Sequence, residues 1–256
     1  MNLMYKISIS PEELDKLPQT SFSGEIIVVD HFGRKYLKAL EYLKSQKVIG
    51  FDTETRPNFT QEHHNYGVSL LQLSGPDKAF LFRIKKLPAL KPVFKILSDD
   101  KIIKVGAATH DDVRGLQKYS RFEGRSFVDL QKIVWEWGIR DKSVKKMSGI
   151  ILGIRISKTQ QLSNWEAENL SEAQQKYAAT DAWVCREMYM RLQDSPKNPL
   201  TPEQLCPPPP PSSADSASTN ASAKKKSAAG DSAVKPAHKR RRKKKTSNDK
   251  SDIKEG

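Results

Sequence analysis

Residues 48–55 read Val48-Ile49-Gly50-Phe51-Asp52-Thr53-Glu54-Thr55, an apolar run that leads straight into two acids. The Val, Ile and Phe between helix-like flanks predict a buried strand over 47–53. Alternate side chains of a strand share a face, so Asp52 and Glu54 point the same way. Two like charges side by side at a core strand repel each other. A multivalent cation between them removes the conflict, and an all-oxygen site suits Mg²⁺ or Mn²⁺. A three-residue pattern also arises by chance, as a strand end with one solvated acid. The rest of the chain decides whether further carboxylates reach the same point.

Upstream, residues 1–23 are polar and carry Pro11 and Pro18, which predicts an irregular lead-in. Residues 25–30 read as a strand. Residues 34–45 read as a helix with Tyr36, Leu37, Leu40 and Leu43 on one face. Downstream, 55–66 reads as a loop. The strands 68–73 and 79–82 are joined by the turn residues Gly75-Pro76-Asp77-Lys78, the simplest hairpin. A helix over 88–99 and a strand over 101–105, stopped by Gly106, come next. Residues 110–119 read as a helix and 127–130 as a short strand or helix entry. Residues 130–138, 143–153 and 171–193 read as helices. The last carries Ser171 and Gln174 as a capping box and ends before Pro196 and Pro199. Strands first, then strands alternating with helices, predict an α/β fold. Its mixed sheet is antiparallel at first and then parallel, flanked by helices.

The chain has 256 residues and a formal charge of +14. Residues 201–256 hold 13 Lys/Arg and 6 Asp/Glu, which is half of that charge, so the body is basic in its own right. A basic body around a carboxylate cluster points to a polyanionic partner. Cys185 and Cys206 fit neither a zinc pattern nor a disulfide framework. No apolar run reaches the roughly 18 residues of a membrane span, and Met1–Ser10 lacks the apolar centre of a signal peptide. The expectation is a cytoplasmic protein with no membrane partner, nuclear if the host is eukaryotic.

Two more acids fall where the architecture can use them. Asp112 follows the strand stopped by Gly106. Asp181 lies four residues after Tyr177, on the same helical face one turn away. That face is otherwise apolar, and an acid there needs a partner. Bland roles also exist: Asp112 beside Asp111 as a helix N-terminal charge, Tyr177 as a core aromatic, Asp181 as a surface acid.

Taken together, GFDTETRP at 50–57, VSLLQL at 68–73, KVGAATHDD at 104–112, LSNW at 162–165 and QKYAATDAW at 175–183 resemble the DEDDy 3′–5′ exonuclease superfamily. The likeness is greatest to the Werner-helicase exonuclease domain and to ribonuclease D, over about residues 25–194. The resemblance implies a ribonuclease-H-like fold, a domain over 24–195 and two-metal hydrolysis of DNA or RNA from the 3′ end, releasing nucleoside 5′-monophosphates. It implies that Asp52, Glu54 and Asp181 hold one of two Mg²⁺ or Mn²⁺ ions, that Asp52 bridges to the second and that Asp112 contacts it. Tyr177 orients the attacking water, and Thr55 meets the terminal nucleotide. Asp111 competes with Asp112, which matches the family spacing better. Asp129 reads as a supporting or structural acid. Trp165 reads as either a base-stacking or a core residue. Lys158 reads as a phosphate contact, and His63-His64 as a solvated pair near substrate entry. The rivals are a non-catalytic nucleic-acid-binding module on the same fold and a haloacid-dehalogenase-type phosphatase. The latter wants Asp where Glu54 stands.

Residues 196–256 read as a linker and tail. Pro207–Pro211 form a stiff run, 212–234 are Ser/Ala-rich, and KPAHKRRRKKK at 235–245 is a dense basic block. Such composition buries no core, which predicts disorder and a salt-sensitive tether to nucleic acid. The block also resembles a nuclear localisation signal.

Overall fold

The architecture is built around the strand that carries the two acids. In the computed structural model, residues 5–58 and 66–205 are described. The elements in order are α1 (Pro11–Asp15), β1 (Glu25–Val29), α2 (Arg34–Ser45), β2 (Val48–Thr55), β3 (Val68–Ser74), β4 (Lys78–Arg83), α3 (Lys91–Leu97) and β5 (Ile103–Gly106). There follow α4 (Thr109–Gln117), β6 (Phe127–Asp129), α5 (Leu130–Ile133) with a 3-10 turn over Val134–Trp137, α6 (Val144–Leu152), α7 (Glu172–Gln193) and α8 (Pro202–Leu205).

Six strands form one sheet in the order β1-β4-β3-β2-β5-β6. β2, β3 and β4 make an antiparallel meander, while β5 and β6 continue parallel to β2 and β1 lies parallel to β4. Only β3 therefore runs against the others. This is the mixed sheet that the sequence predicted. The boundaries agree to within a few residues, and 127–130 proves to be both a strand and the entry to α5.

Helices cover both faces. Tyr36 and Leu43 of α2 and Phe94 of α3 pack on Ile49, Phe51, Leu71, Leu73, Phe80 and Phe82. The opposite face packs against α6 and α7, with Val105, Met147, Val184, Met188 and Leu192 in one cluster and Leu70, Leu81, Trp165, Tyr177 and Ala178 in another. A strand covered on both sides needs no alternation, and every residue of β3 is buried.

α7 crosses β2 at Gly50. A Cβ built there would lie 1.8 Å from the Ala182 carbonyl oxygen. Gly50 thus sets how close the helix comes to the strand. Gly50→Ala is expected to destabilise the protein by about 3 kcal/mol or more, because backbone must move apart and not merely a side chain. A urea midpoint equal to that of the wild type would contradict this.

Two expectations are corrected. The lead-in is not irregular throughout. Ser10 and Glu13 form a capping box on α1, and Tyr5, Ile9, Leu14 and Phe22 are buried. The Phe22 amide donates to Thr180 Oγ1 of α7 at 3.0 Å, and Thr20 and Arg155 join the lead-in to the chain after α6. Tyr5, Ile7 and Ile9 alternate only over residues 5–9, and Leu14 and Phe22 stand apart from them, so no sustained period marks their packing. The linker, likewise, does not begin at 196. Leu200 is buried, and the amides of Asn198 and Leu200 donate to the carbonyls of Glu136 and Trp135. The polyproline run, the basic block and the His63-His64 pair lie outside the described residues.

Candidate active site

Because Ala182 rests on Gly50, the preceding turn of α7 lies over the next residues of β2. Asp52 and Glu54 point to this face of the strand, and Tyr177 and Asp181 come down on them. Carboxylate oxygens of Asp52, Glu54 and Asp181 all lie within 4.8 Å of one another. They line a cleft of about 190 Å³ with Thr53, Ala107, Val144, Lys158, Gln161, Tyr177 and Cys185. The three acids thus come from two elements 129 residues apart in sequence.

Asp112 takes a different position. It sits in the first turn of α4, outside the trio, and accepts a hydrogen bond of 2.5 Å from Thr53 Oγ1. Thr53 alternates with Asp52 and Glu54 along β2, so Asp112 is held at the edge of the cleft through Thr53, close enough for its charge to bear on Asp52 and Glu54. Asp111 is exposed, whereas Asp112 is half-buried. α4 starts from Ala108 in the left-handed region, at φ 58°. Such a backbone is uncommon without glycine. Asp129 holds it by accepting from the Ala108 amide at 3.0 Å, and it also caps α5 through the Gln131 amide. Asp129 is therefore a structural acid that places α4.

The electrostatics follow from crowding. Burial, and then the charges of Asp181 and Asp112, push the Asp52 carboxyl well up. Glu54 is pushed up to about 10 by burial and by Asp52 and Asp181. Asp181 and Asp112 are each pushed up to about 6, chiefly by burial. Lys158 opposes the shift on Asp52, Glu54 and Asp181. Burial, Asp181 and Glu54 raise the Tyr177 hydroxyl far above the usual phenol range, and that hydroxyl is a hydrogen-bond partner of Asp181. Burial likewise pushes up the Cys185 thiol, so it stays neutral in the cleft wall. A group of ionised carboxylates this close is unfavourable without a counter-charge, and a divalent cation with hard oxygen ligands fits the donor set.

The remaining candidates separate cleanly. Lys158 is exposed and lines the cleft. Thr55 is exposed at the end of β2, just past an irregularity between Glu54 and Thr55. Trp165 is corrected: it is fully buried, so it offers no face to a base. Its ring lies 5.9 Å from that of Tyr177, against which it packs. The sequence reading passed over Thr53, although its place between two acids on a strand puts it on the far face. Thr53→Val is expected to leave the fold intact and lower kcat about 10- to 100-fold, the usual cost of losing a group that orients a ligand. Unchanged kcat would show that Asp112 needs no such support.

The sequence profile of the 3′–5′ exonuclease family matches residues 34–195. DNA polymerase I of Aquifex aeolicus is 27% identical over 157 residues, 61% of this chain and 25% of that protein. Exonuclease 3′-5′ domain-containing protein 2 of Drosophila melanogaster is 34% identical over 152 residues, 57% of this chain and again 25% of that protein. The chain thus matches about a quarter of the length of these relatives. Among solved structures, the Aedes aegypti Nibbler EXO domain superposes with a TM-score of 0.60 at 22% identity, covering 68% of this chain and 91% of that one. Escherichia coli RNase D gives 0.56 at 22% identity, covering 67% and 44%. These structures share the fold, and the matched span holds β2, α4 and α7 with all the acids of the cleft. The chain belongs to the 3′–5′ exonuclease family.

Proposed function

We propose that this chain is a cation-dependent 3′–5′ exonuclease of the DEDDy type that releases nucleoside 5′-monophosphates from DNA or RNA. The observation that carries the reading is the convergence of Asp52, Glu54 and Asp181 within 4.8 Å, with Tyr177 beside them. Asp52, Glu54 and Asp181 would hold a first divalent ion, Mg²⁺ or Mn²⁺, with Asp52 and Asp112 serving a second. Such ions supply charge neutralisation to both the attacking and the leaving oxygen of an in-line displacement.

The side chains do the rest. Tyr177 keeps its proton at neutral pH, so it acts as a donor that orients the water and not as a base. Asp181 fixes the direction of that hydroxyl. Lys158 at the cleft mouth pairs with a phosphate oxygen, and Thr55 meets the terminal nucleotide. Trp165 holds the back of the Tyr177 ring. A basic body outside the cleft draws the polyanion in.

The test is degradation of 5′-labelled single-stranded DNA, recessed duplex DNA and RNA with Mg²⁺, Mn²⁺ or EDTA. A ladder that shortens from the 3′ end only with a cation is expected. Binding without any ladder would favour a non-catalytic nucleic-acid module on this fold.

A further inference from the structure

Among the described residues three side chains bury polar atoms without a hydrogen-bond partner, Arg155 and Trp165 through one nitrogen each and Gln72 through its whole amide. Gln72 is fully buried at the centre of β3. Among the described residues, neither its Nε2 nor its Oε1 has a hydrogen-bond partner. An amide stripped of water without replacement costs about 1–3 kcal/mol, so buried amides are nearly always satisfied. Apolar residues of similar size fill the equivalent places in the same sheet.

Its neighbours narrow the choice of partner. In the antiparallel register Gln72 stands opposite Asp52 on β2 and opposite Leu81 on β4. Directly opposed residues share a face, with Cβ atoms about 4.5–5.5 Å apart. That face lies beneath α7, where Leu70 and Leu81 pack with Tyr177 and Ala178. Ser74, two residues along on the same face of β3, donates to the Gly75 carbonyl, and the Trp165 indole of that cluster makes no hydrogen bond to the amide. In its row across the sheet, Gln72 has an apolar neighbour on one side and Asp52 on the other.

We propose that Gln72 is a positioning residue for Asp52. Its amide holds one buried water against the Asp52 carboxylate, and this fixes which way the carboxylate faces. A water in that place satisfies the amide and restrains an acid that crowding pushes away from its neighbours. This rests on the reading of Asp52 as a cation ligand. It adds β3 to β2 and α7, the two elements that supply the acids of the cleft.

Calorimetric titration of the full chain with Mn²⁺ decides it, using wild type, Gln72→Met and Gln72→Asn. Gln72→Met keeps the volume and removes the polar atoms. It is expected to melt in EDTA at least as high as wild type, yet to bind Mn²⁺ about 10- to 100-fold more weakly. Its kcat falls while KM is unchanged. Gln72→Asn keeps an amide, with room for a second water, and retains most of the affinity. Wild-type affinity in Gln72→Met, or equal losses in both variants, overturns the proposal. A wild type that binds no Mn²⁺ overturns the cation site itself. A high-resolution crystal structure of the wild type provides a readout free of any variant. A water within hydrogen-bonding distance of both the amide and the Asp52 carboxylate is expected there, and a dry amide refutes the proposal.

Discussion

Asp52→Asn and Asp181→Asn are each expected to lower kcat on the order of a thousand-fold or more, the scale seen when a preorganised charge-stabilising group is removed. Both chains should still fold. Asp52 and Asp181 sit in a cluster that burial and mutual repulsion drive toward protonation, so neutral amides of the same shape relieve strain. Loss of activity with a melting temperature in EDTA at or above that of wild type separates a ligand role from a structural one. Glu54 and Tyr177 should follow a weaker version of the same pattern. Tyr177→Phe keeps the ring against Trp165 and removes only the hydroxyl, so a drop in kcat without loss of stability isolates its orienting role. Full activity in both Asp52→Asn and Asp181→Asn would sink the site assignment.

The second large effect is on stability. Unfolded carboxyls titrate near 4, while Asp181 and Asp112 are pushed up to about 6 and Glu54 to about 10. Without a cation, these three acids therefore bind more protons in the folded protein than in the unfolded chain above about pH 4, and their contribution to stability falls as pH rises. For Asp181 alone, the two-unit rise corresponds to about 3 kcal/mol lost between about pH 4 and 6. That is roughly 6–12 °C in a body of this size. Saturating Mn²⁺ at pH 8 should restore several degrees, since a ligand at 100 times its Kd adds about 2.7 kcal/mol. At pH 5 the same addition should do much less, because protons already occupy the acids. Other acids, such as Asp141 and Glu166, are held below their ordinary values and tilt the curve the opposite way. The comparison that isolates the cluster is wild type against Asp181→Asn. The variant should show a flatter decline in EDTA and no Mn²⁺ shift. An equal Mn²⁺ shift at pH 5 and pH 8 would contradict the linkage.

Much of this was legible because the informative residues are local. Asp52 and Glu54 are two apart on one strand, and Tyr177 and Asp181 are four apart on one helix, so period alone places each pair. What joins the pairs is the Gly50–Ala182 contact, which no local pattern carries. The packing of Trp165 was left open because a tryptophan after a polar loop suits either a core or a stacking platform. Only the approach of α7 and Tyr177 closes the first over it. The register that sets Thr53 against Asp112, and Gln72 against Asp52, depends on pairings between segments far apart in sequence. Within VSLLQL the glutamine is one polar residue in an apolar run. With both faces covered, nothing in that string says which way it points. The lead-in defeated pattern reading for a related reason: its apolar residues plug gaps in other elements and form no face of their own.

α7 packs against five of the six strands and completes the cleft, and it is the last long element of the body. During synthesis at about 5–20 residues per second, Asp181 is made roughly 6 to 26 seconds after Asp52. Until it arrives, β2 displays two acids on an uncovered sheet face, with no third ligand and no tyrosine. The order of the elements along the chain thus makes the cluster one of the last features of the body to be completed. A ribosome-bound fragment lacks the assembled carboxylate cluster until the final helix docks.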